Sequence, residues 1–408
     1  MEHHVGDALL FPDDAQFRFE TLRALGAVEY GGALIGEVFA AVSRIAAGDY
    51  DSWCDAWNEM ANRIAKEGSD QLARGHPISA RDSFLRAATY YQSSEFFLHG
   101  QPDDPRIARA YKLSVDCYKR AAALHDPVIE PVEIPYEQTT LPGYFHHAGK
   151  PGPRPTLIMH SGFDGSVEEA HFSGARAAVE RDYNVLAFDG PGQYGPLYRE
   201  GLVFRPDWEK VVTPVVDFAL GRRAVDPKRI ALMGISLGGV LAPRAAAFEK
   251  RLAALIANDG LYDFSAAMLS FAPSDQREAL LESLKVEQAP HVDALLAAQM
   301  KLSPTMRWEF AHGMWATGAK SPRAFLAKMR DYNVKDGIAE MISCPTLVCD
   351  AEGDLFFQGQ PQVLYNHLTC RKTINRFTTG EGAGAHCQVG ASRKAFARIF
   401  DWLDETFA

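Results

Sequence analysis

A stretch near the middle of the chain decides the fold. Residues 229–248 read Arg-Ile-Ala-Leu-Met-Gly-Ile-Ser-Leu-Gly-Gly-Val-Leu-Ala-Pro-Arg-Ala-Ala-Ala-Phe. The apolar run Arg229–Met233 predicts a buried strand and Val240–Phe248 predicts a helix, so a Gly-x-Ser-x-Gly motif fills the turn between them. Such a motif in this position is typical of a nucleophile elbow, in which a strained turn exposes the serine. We therefore predict Ser236 as a nucleophile, against the alternative of an ordinary strand-to-helix turn.

Further short apolar runs on both sides of the elbow predict more strands. They are Thr156–Met159, Asn184–Phe188, Ala253–Ala257 and Pro345–Cys349. Each is apolar apart from Thr156, Asn184 and Thr346 at or next to the start of its run, as expected for parallel strands buried on both faces. The intervening segments are long enough for crossover helices, for example Trp208–Leu220. The sequence thus predicts an α/β fold with a doubly wound, mostly parallel sheet.

The predicted domains follow from where this alternation starts and stops. Residues 1–126 have helical periodicity, with Trp53, Trp57, Met60 and Ile64 three or four positions apart. Residues 127–260 and 341–408 carry the strands. The 80 residues 261–340 separate two consecutive strands, although a simple crossover needs one helix. We predict an N-terminal helical domain that contributes to a cap, a core in two parts, and a helical cap insertion over the carboxyl ends of the strands.

Composition excludes several classes of protein. The 408 residues are 47% hydrophobic and 23% charged, which is ordinary for a globular chain. A net charge of −10 argues against nucleic-acid binding, which requires clustered Lys and Arg. No basic leader and no run of about 18 apolar residues are present, so we expect a cytoplasmic protein that does not bind a membrane. The six cysteines are scattered, and we expect them to be reduced and buried.

An elbow serine needs a base and an orienting acid, which follow it in the order Ser, acid, His. The strand Pro345–Cys349 leads into the turn Asp350-Ala-Glu-Gly-Asp, whose last residue we predict as the acid. Asp350 is the second candidate, and a solvated turn or helix cap is the non-catalytic alternative to Asp354. Of the two later histidines, His367 lies in an amphipathic helix, whereas His386 lies in a loop of small residues. We predict His386 as the general base.

The oxyanion site is predicted from two backbone groups. The N–H of Leu237 follows the nucleophile and begins a helix, and the N–H of Phe163 comes from the loop after an early strand. The adjacent Asp164 opposes negative charge at that point unless it is protonated or binds hydroxyl groups of the substrate. A substrate-binding role and a purely structural role in the loop both remain open for Asp164.

Metals and cofactors have little support in the sequence. The pair His146-His147 is interpreted as a surface feature, because neighbouring residues of a strand point to opposite faces. No glycine-rich phosphate loop follows a strand, which argues against nucleotide use. We expect neither a metal nor a cofactor.

With these residues in place, the chain resembles the 2,6-dihydroxypseudooxynicotine hydrolase family of α/β hydrolases. More loosely it is similar to fermentation-respiration switch proteins and fungal polyketide chain-shortening hydrolases. The resemblance covers nearly the whole chain. It rests on segments that are more specific than the elbow, namely Gly48–Trp53, Ser79–Leu98, Phe163-Asp-Gly with Glu168-Glu169, Phe188-Asp-Gly-Pro-Gly-Gln193, Trp308 with His312-Gly313, and Glu381-Gly-Ala through His386-Cys387.

The resemblance implies a hydrolase with an α/β-hydrolase fold, a helical cap and a homodimeric assembly. It places the triad on Ser236, Asp354 and His386. The family's namesake cleaves a carbon–carbon bond next to a ketone on a hydroxylated aromatic ring. Asp164 stands where the namesake has Glu, and Tyr194 follows the Phe-Asp-Gly-Pro-Gly-Gln element, so the namesake's substrate is not transferred.

The function predicted from these features is hydrolysis next to a carbonyl of a small aromatic or polyketide-like molecule, most simply of a C–C bond in an acyl-aromatic compound or 1,3-diketone. Trp308, His312 and Trp315 suit a flat, partly polar substrate, and the alternative for them is a role in the cap core. A carboxylesterase or thioesterase in secondary metabolism has the same triad. A non-catalytic binding or regulatory protein that retains the fold is a further alternative.

Overall fold

The computed structural model describes residues 10–269, 272, 275–286 and 288–408. These residues form two compact units. The first contains the described residues up to Ile129 together with Leu295–Trp315, and the second contains Glu130–Ala294 and Ala316–Ala408. The segment 261–340, which the sequence suggests is one cap, is therefore divided between the two units.

Sixteen α-helices lie in the described part of the chain, and in chain order they take the labels α1 to α16. They are Ala15–Gly26, Ile35–Val42, Tyr50–Ala73, Pro77–Glu95, Pro105–Ala122, Ala175–Val179, Tyr194–Glu200, Glu209–Leu220, Gly238–Phe248, Phe264–Leu269, Arg277–Ser283, Pro290–Leu302, Pro304–Thr317, Pro322–Met329, Gln360–His367 and Ser392–Phe407. Within these described helices, none combines the length and the hydropathy that crossing a membrane requires.

The N-terminal helices form for local reasons that the sequence contains. The carboxylate of Asp49 caps α3 by accepting hydrogen bonds from the backbone N–H groups of Asp51 and Ser52. The apolar positions of α3 at helical spacing, Trp53, Trp57, Met60 and Ile64, are all buried. The predicted helical character of this region is confirmed.

One eight-stranded sheet forms the centre of the second unit. Its strands, β1 to β8 in chain order, are Glu130–Tyr136, Thr139–His146, Arg154–His160, Asn184–Phe188, Val225–Ile235, Ala254–Asn258, Thr346–Ala351 and Lys372–Phe377. Across the sheet they are arranged β1-β2-β4-β3-β5-β6-β7-β8. Strand β2 pairs antiparallel with both β1 and β4, and every other pair is parallel. The predicted doubly wound, mostly parallel sheet is confirmed.

The parallel arrangement determines where chemistry can take place. Strands β3, β5, β6 and β7 all point the same way, so the loops that follow them meet at one edge of the sheet. Ser236 follows β5, and Asp354 lies in the turn after β7. The loop after β3 contains Phe163. Residues far apart in the chain are brought to one edge in this way.

Two side-chain predictions need correction. The interpretation of His146-His147 as a surface pair is wrong for His146, whose side chain is buried at the end of β2 with its ring near that of His171. His147, the residue after β2, is half-buried. All six cysteines are free thiols, but Cys370 and Cys387 are only partly buried.

Candidate active site

Ser236 lies on a sharp turn between β5 and α9. Its φ angle of 61° lies in the left-handed region, where a residue with a side chain is strained. The backbone N–H of Ser236 donates to the carbonyl of Asn258 at 2.9 Å, which ties the turn to the end of β6. A side chain at Gly234 would place its Cβ 2.1 Å from the backbone oxygen of Gly238, so the turn requires glycine there. The local geometry is that of a nucleophile elbow.

Two predicted partners of Ser236 meet it in a chain of hydrogen bonds. His386 Nε2 lies 2.8 Å from Ser236 Oγ, and His386 Nδ1 lies 2.9 Å from Asp354 Oδ2. The other oxygen of Asp354 accepts the backbone N–H groups of Phe356 at 2.7 Å and Phe357 at 3.2 Å. Both His386 and Asp354 are buried. The arrangement can draw a proton from the serine hydroxyl and hold the resulting imidazolium.

A second carboxylate, which the sequence reasoning missed, also contacts His386. Asp259 follows β6, is fully buried, and places Oδ2 at 3.1 Å from His386 Nδ1. A signal for it was available, because Asp259 lies two residues after the predicted buried strand Ala253–Ala257, whose carboxyl end meets the same sheet edge as the elbow.

The charges around His386 determine its protonation. Burial lowers the pKa of the imidazole, but the charge of Asp354, the Cys387 side chain and hydrogen bonds to Asp259 and Asp354 raise it well above the ordinary value. Burial by itself raises the pKa of Asp354, yet the charge of His386 and its hydrogen bonds hold that pKa below the ordinary value. Burial and the charge of Asp354 raise the pKa of Asp259. Asp354 is therefore the carboxylate most strongly held in its ionised form.

The loop after β3 packs directly against the elbow. A Cβ at Gly162 would lie 2.6 Å from the backbone nitrogen of Leu237 and 2.6 Å from the carbonyl oxygen of Ile235. Only glycine permits this approach. It brings the backbone of Phe163, the next residue, beside the N-terminus of α9, which starts just after Leu237.

Gln193 holds that loop from the other side. Its buried side chain donates from Nε2 to the carbonyls of Ser161 at 2.6 Å and Gly162 at 3.3 Å, and its Oε1 accepts the N–H of Gly190 at 2.7 Å. No role is predicted for Gln193 from the sequence, although it ends the Phe-Asp-Gly-Pro-Gly-Gln element. We name this contact the glutamine brace.

Aromatic rings surround the elbow within the second unit. Phe163 stacks with Phe204 and Phe325 and meets the edge of Phe264. Phe264 packs edge-on against Phe357. The rings of Phe357 and Phe356 both meet the His386 ring edge-on, at centroid distances of 5.1 and 4.9 Å respectively. The surroundings of the site are apolar and aromatic. We call these six side chains the aromatic wall.

The residues predicted to bind substrate lie in different places. Asp164 is partly exposed and follows Phe163 in the loop beside the elbow. Trp308, His312 and Trp315 lie on α13 in the first unit. There, the indole of Trp308 donates to the carbonyl of Phe96 at 2.7 Å, and its ring stacks on Phe96 and His312. The substrate-binding role of these four residues stays a prediction.

The alternative candidates for acid and base are engaged elsewhere. The Asp350 carboxylate lies 3.5 Å from the guanidinium of Arg376. The ring of His367 lies 2.8 Å from a carboxylate oxygen of Glu340 and stacks on Tyr262. Neither of these contacts involves Ser236 or His386.

One group of side chains has the composition of a metal site. Asp259, His386 and Cys387 bring an oxygen, a nitrogen and a sulfur within 4.8 Å of one another. Burial raises the pKa of the Cys387 thiol to about 12, which disfavours the thiolate that a metal ion needs. The oxygen and nitrogen are already hydrogen-bonded to each other, so we interpret the group as a hydrogen-bonded cluster.

Comparisons with known proteins agree with this architecture. Residues 141–399 match the model of the alpha/beta hydrolase family. The chain is 36% identical to the 20-hydroxy-prefusarin hydrolase FUS2 of Gibberella moniliformis and 35% identical to Hydrolase LUC6 of a Fusarium species, each over 96% of both chains. Its fold is similar to that of 2,6-dihydroxy-pseudo-oxynicotine hydrolase, with a TM-score of 0.73 at 23% identity over 93% of this chain and 94% of the other. The chain belongs to the alpha/beta hydrolase family, and it is a hydrolase.

Proposed function

We propose that this hydrolase uses Ser236 as nucleophile, His386 as general base and Asp354 as orienting acid. The observation that carries the proposal is the continuous contact from Ser236 Oγ through the imidazole to Asp354, at 2.8 and 2.9 Å. As Oγ forms a bond to the carbonyl carbon, its proton passes to Nε2, and the proton on Nδ1 stays on nitrogen. Asp354 remains ionised and stabilises the imidazolium.

The negative charge that develops on the carbonyl oxygen needs hydrogen-bond donors. The backbone N–H groups of Leu237 and Phe163 are proposed for this role, since Gly162 brings their backbones side by side. The N-terminus of α9 adds the favourable end of a helix dipole. Donors fixed on a turn and a braced loop need little rearrangement during the reaction.

The proposed substrate is a small aromatic or polyketide-like molecule with a ketone. The aromatic wall supports a flat, apolar substrate, because stacked and edge-on rings favour such a group. A relative at 36% identity is a hydrolase of 20-hydroxy-prefusarin, which supports a role in secondary metabolism. The bond proposed to break is a C–C bond next to the ketone, as the family resemblance implies.

Breaking a C–C bond adds one requirement. The electron pair of the broken bond passes to carbon, which is feasible only where an enolate or a phenol ring stabilises it. The imidazolium of His386 then supplies the proton to that carbon. Water completes the reaction by releasing the acyl group as a carboxylic acid. Direct attack by water, activated by His386, reaches the same products.

Labelling by a fluorophosphonate tests the nucleophile. We expect the protein to be labelled at Ser236, and the variant Ser236→Ala to lose both labelling and hydrolysis. The exposed Ser43 provides a matched control, because Ser43→Ala should change neither. A wild-type protein that is not labelled would support the non-catalytic alternative.

Substrate comparison tests the bond. We expect an acylphloroglucinol or 1,3-diketone to be hydrolysed with a higher kcat/KM than an aryl ester that carries the same acyl group. Turnover of the esters alone would favour the carboxylesterase or thioesterase alternative. Both reactions pass through the same oxyanion, so only the leaving group distinguishes them.

Asp164 is proposed to bind a polar group of the substrate. Asp164→Asn removes the charge while keeping the shape, and we expect lower turnover with an unchanged thermal midpoint. Unchanged kinetics would leave Asp164 with a structural role in its loop.

A further inference from the structure

The triad leaves one buried acid at the site without a role. Asp259 lies at the end of β6, next to β7 in the sheet, and its side chain is fully buried. Strands β6 and β7 are parallel, so acids that follow them reach the same edge of the sheet. Burying a carboxylate that no partner holds is costly, so the contacts of Asp259 indicate what it does.

The first contact is with the catalytic imidazole. Asp259 Oδ2 lies 3.1 Å from His386 Nδ1, and Asp354 Oδ2 lies 2.9 Å from the same nitrogen. Nδ1 carries a single proton. Two carboxylates therefore compete for, or share, the one N–H that orients the ring.

The other contacts bind Asp259 to the loop that carries the histidine. The side chain of Gln388 donates to Asp259 Oδ1 at 2.9 Å, and the backbone N–H of Cys387 donates to Oδ2. Cys387 and Gln388 have φ angles of 51° and 54°, in the strained left-handed region. The carboxylate thus holds in place the two residues that follow His386.

Other titratable groups near this cluster are few in the described part of the chain. Asp259 and Asp354 face His386 from the ends of β6 and β7, and Cys387 lies beside it in the same loop. Cys349 of β7 is near Asp259, and burial raises the pKa of its thiol, so it is neutral. The charge of Asp354, the Cys387 side chain and the hydrogen bonds to both carboxylates therefore act on the imidazole.

We propose that Asp259 is a second positioning acid for His386, which shares the Nδ1 proton with Asp354 and partly replaces Asp354 when that carboxylate is absent. This inference rests on the proposed function of Ser236 and His386. In the reaction, Nε2 gains the serine proton, Nδ1 keeps its own, and both carboxylates face the positive ring. Neither carboxylate takes the proton.

The test compares Asp259→Asn, Asp354→Asn and the double variant by the rate of fluorophosphonate labelling at Ser236 and by kcat/KM over a range of pH. We expect Asp354→Asn to react about 10²-fold more slowly and the double variant roughly 10⁴-fold more slowly, the loss usual when the orienting acid is removed. We also expect Asp259→Asn to move the acidic limb of the pH profile to lower pH, because removal of a nearby negative charge favours the neutral imidazole.

Two controls separate charge from loop support. Gln388→Ala removes one donor to Asp259 but leaves the carboxylate, so we expect an unmoved pH profile. Asp350→Asn removes an acid that pairs with Arg376, and we expect wild-type rates. Thermal unfolding of each variant identifies any loss of folding, and rates are compared only between folded proteins.

Two results together would overturn the inference, provided that wild-type Ser236 is still labelled. Asp354→Asn alone would be as slow as the double variant, and Asp259→Asn would leave the pH profile of kcat/KM unmoved. The inference would also be overturned if Asp259→Asn and Gln388→Ala both changed the rate while leaving the pH profile of kcat/KM unmoved. Support of the loop that carries His386 would then explain the contacts of Asp259. Failure of the proposed function looks different, since wild-type Ser236 would not be labelled at all.

Discussion

His386 is the residue on which the charges of the site converge, and its protonation sets the working pH. A general base must be neutral, and the neighbouring carboxylate raises the pKa of the imidazole well above its ordinary value. We therefore expect kcat/KM to fall as the pH drops through a value above the ordinary imidazole pKa of about 6.5. A pH profile measures this. An acidic limb below that value would contradict the expected effect of Asp354.

Gly162 is the second residue whose chemistry is fixed by its surroundings. A methyl group there would meet backbone atoms of Ile235 and Leu237 at 2.6 Å, and neither atom belongs to a flexible side chain. We expect Gly162→Ala to destabilise the fold by about 1–3 kcal/mol, as overpacking does, and to slow labelling of Ser236. Denaturant unfolding gives the free energy.

The matched control for Gly162 is Gly149, whose Cβ would meet no atom within 4 Å. Gly149→Ala should leave both stability and labelling unchanged. Equal stability of the two variants would show that the loop and the elbow can move apart at little cost.

At the scale of elements, the glutamine brace connects the loop after β4 with the loop after β3. Gln193→Ala would leave the carbonyl of Gly162 and the N–H of Gly190 without this buried partner. We expect a loss of about 1–3 kcal/mol in stability and slower labelling of Ser236, because the backbone of Phe163 is no longer held. The exposed Gln101 serves as control, and Gln101→Ala should change neither measurement.

The strands show which elements a sequence can reveal. Apolar runs predicted β3 to β7, because these strands are buried on both faces. Strand β1 was not predicted: its buried and exposed residues alternate, and it contains Pro131 and Pro135, a composition typical of an edge strand. Also not predicted were β8 at the other edge, where only Phe377 is buried, and β2, whose sequence is interrupted by Pro142 and Gly143. These three strands lack the continuous apolar run on which the prediction depended.

The site shows a similar limit. Ser236, Asp354 and His386 could be found because motif, chain order and loop composition select them. Asp259 also lies between the serine and the histidine in chain order, so order alone does not distinguish it from Asp354. What distinguishes them is a difference of 0.2 Å in distance and the donors around each carboxylate, which only the folded structure contains.

At the scale of the whole molecule, the family resemblance implies a homodimer, and we propose one. Light scattering should give a particle mass of twice the 45.0 kDa of one chain. The exposed apolar side chains of Ile35 and Phe39, four residues apart on α2, are compatible with an interface on the first unit. A mass of one chain at all protein concentrations would contradict the proposal.

The net charge of −10 also bears on the whole molecule. It argues against nucleic acid as a partner. For a small-molecule enzyme, the same charge disfavours a strongly anionic substrate unless basic side chains lie near the site. A neutral ketone or phenol avoids that repulsion.

The left-handed backbone at Ser236, Asp259, Cys387 and Gln388 has a consequence for engineering. Each such position costs about 1–3 kcal/mol, and glycine would remove most of that cost. A library screened only for resistance to heat would thus favour glycine at Cys387, whereas glycine at Gln388 would also remove the side-chain hydrogen bond to the buried Asp259. The same change would let the His386 loop sample more conformations, so the most heat-resistant variants would be slower catalysts. Directed evolution of this protein should therefore select for turnover and thermal tolerance together.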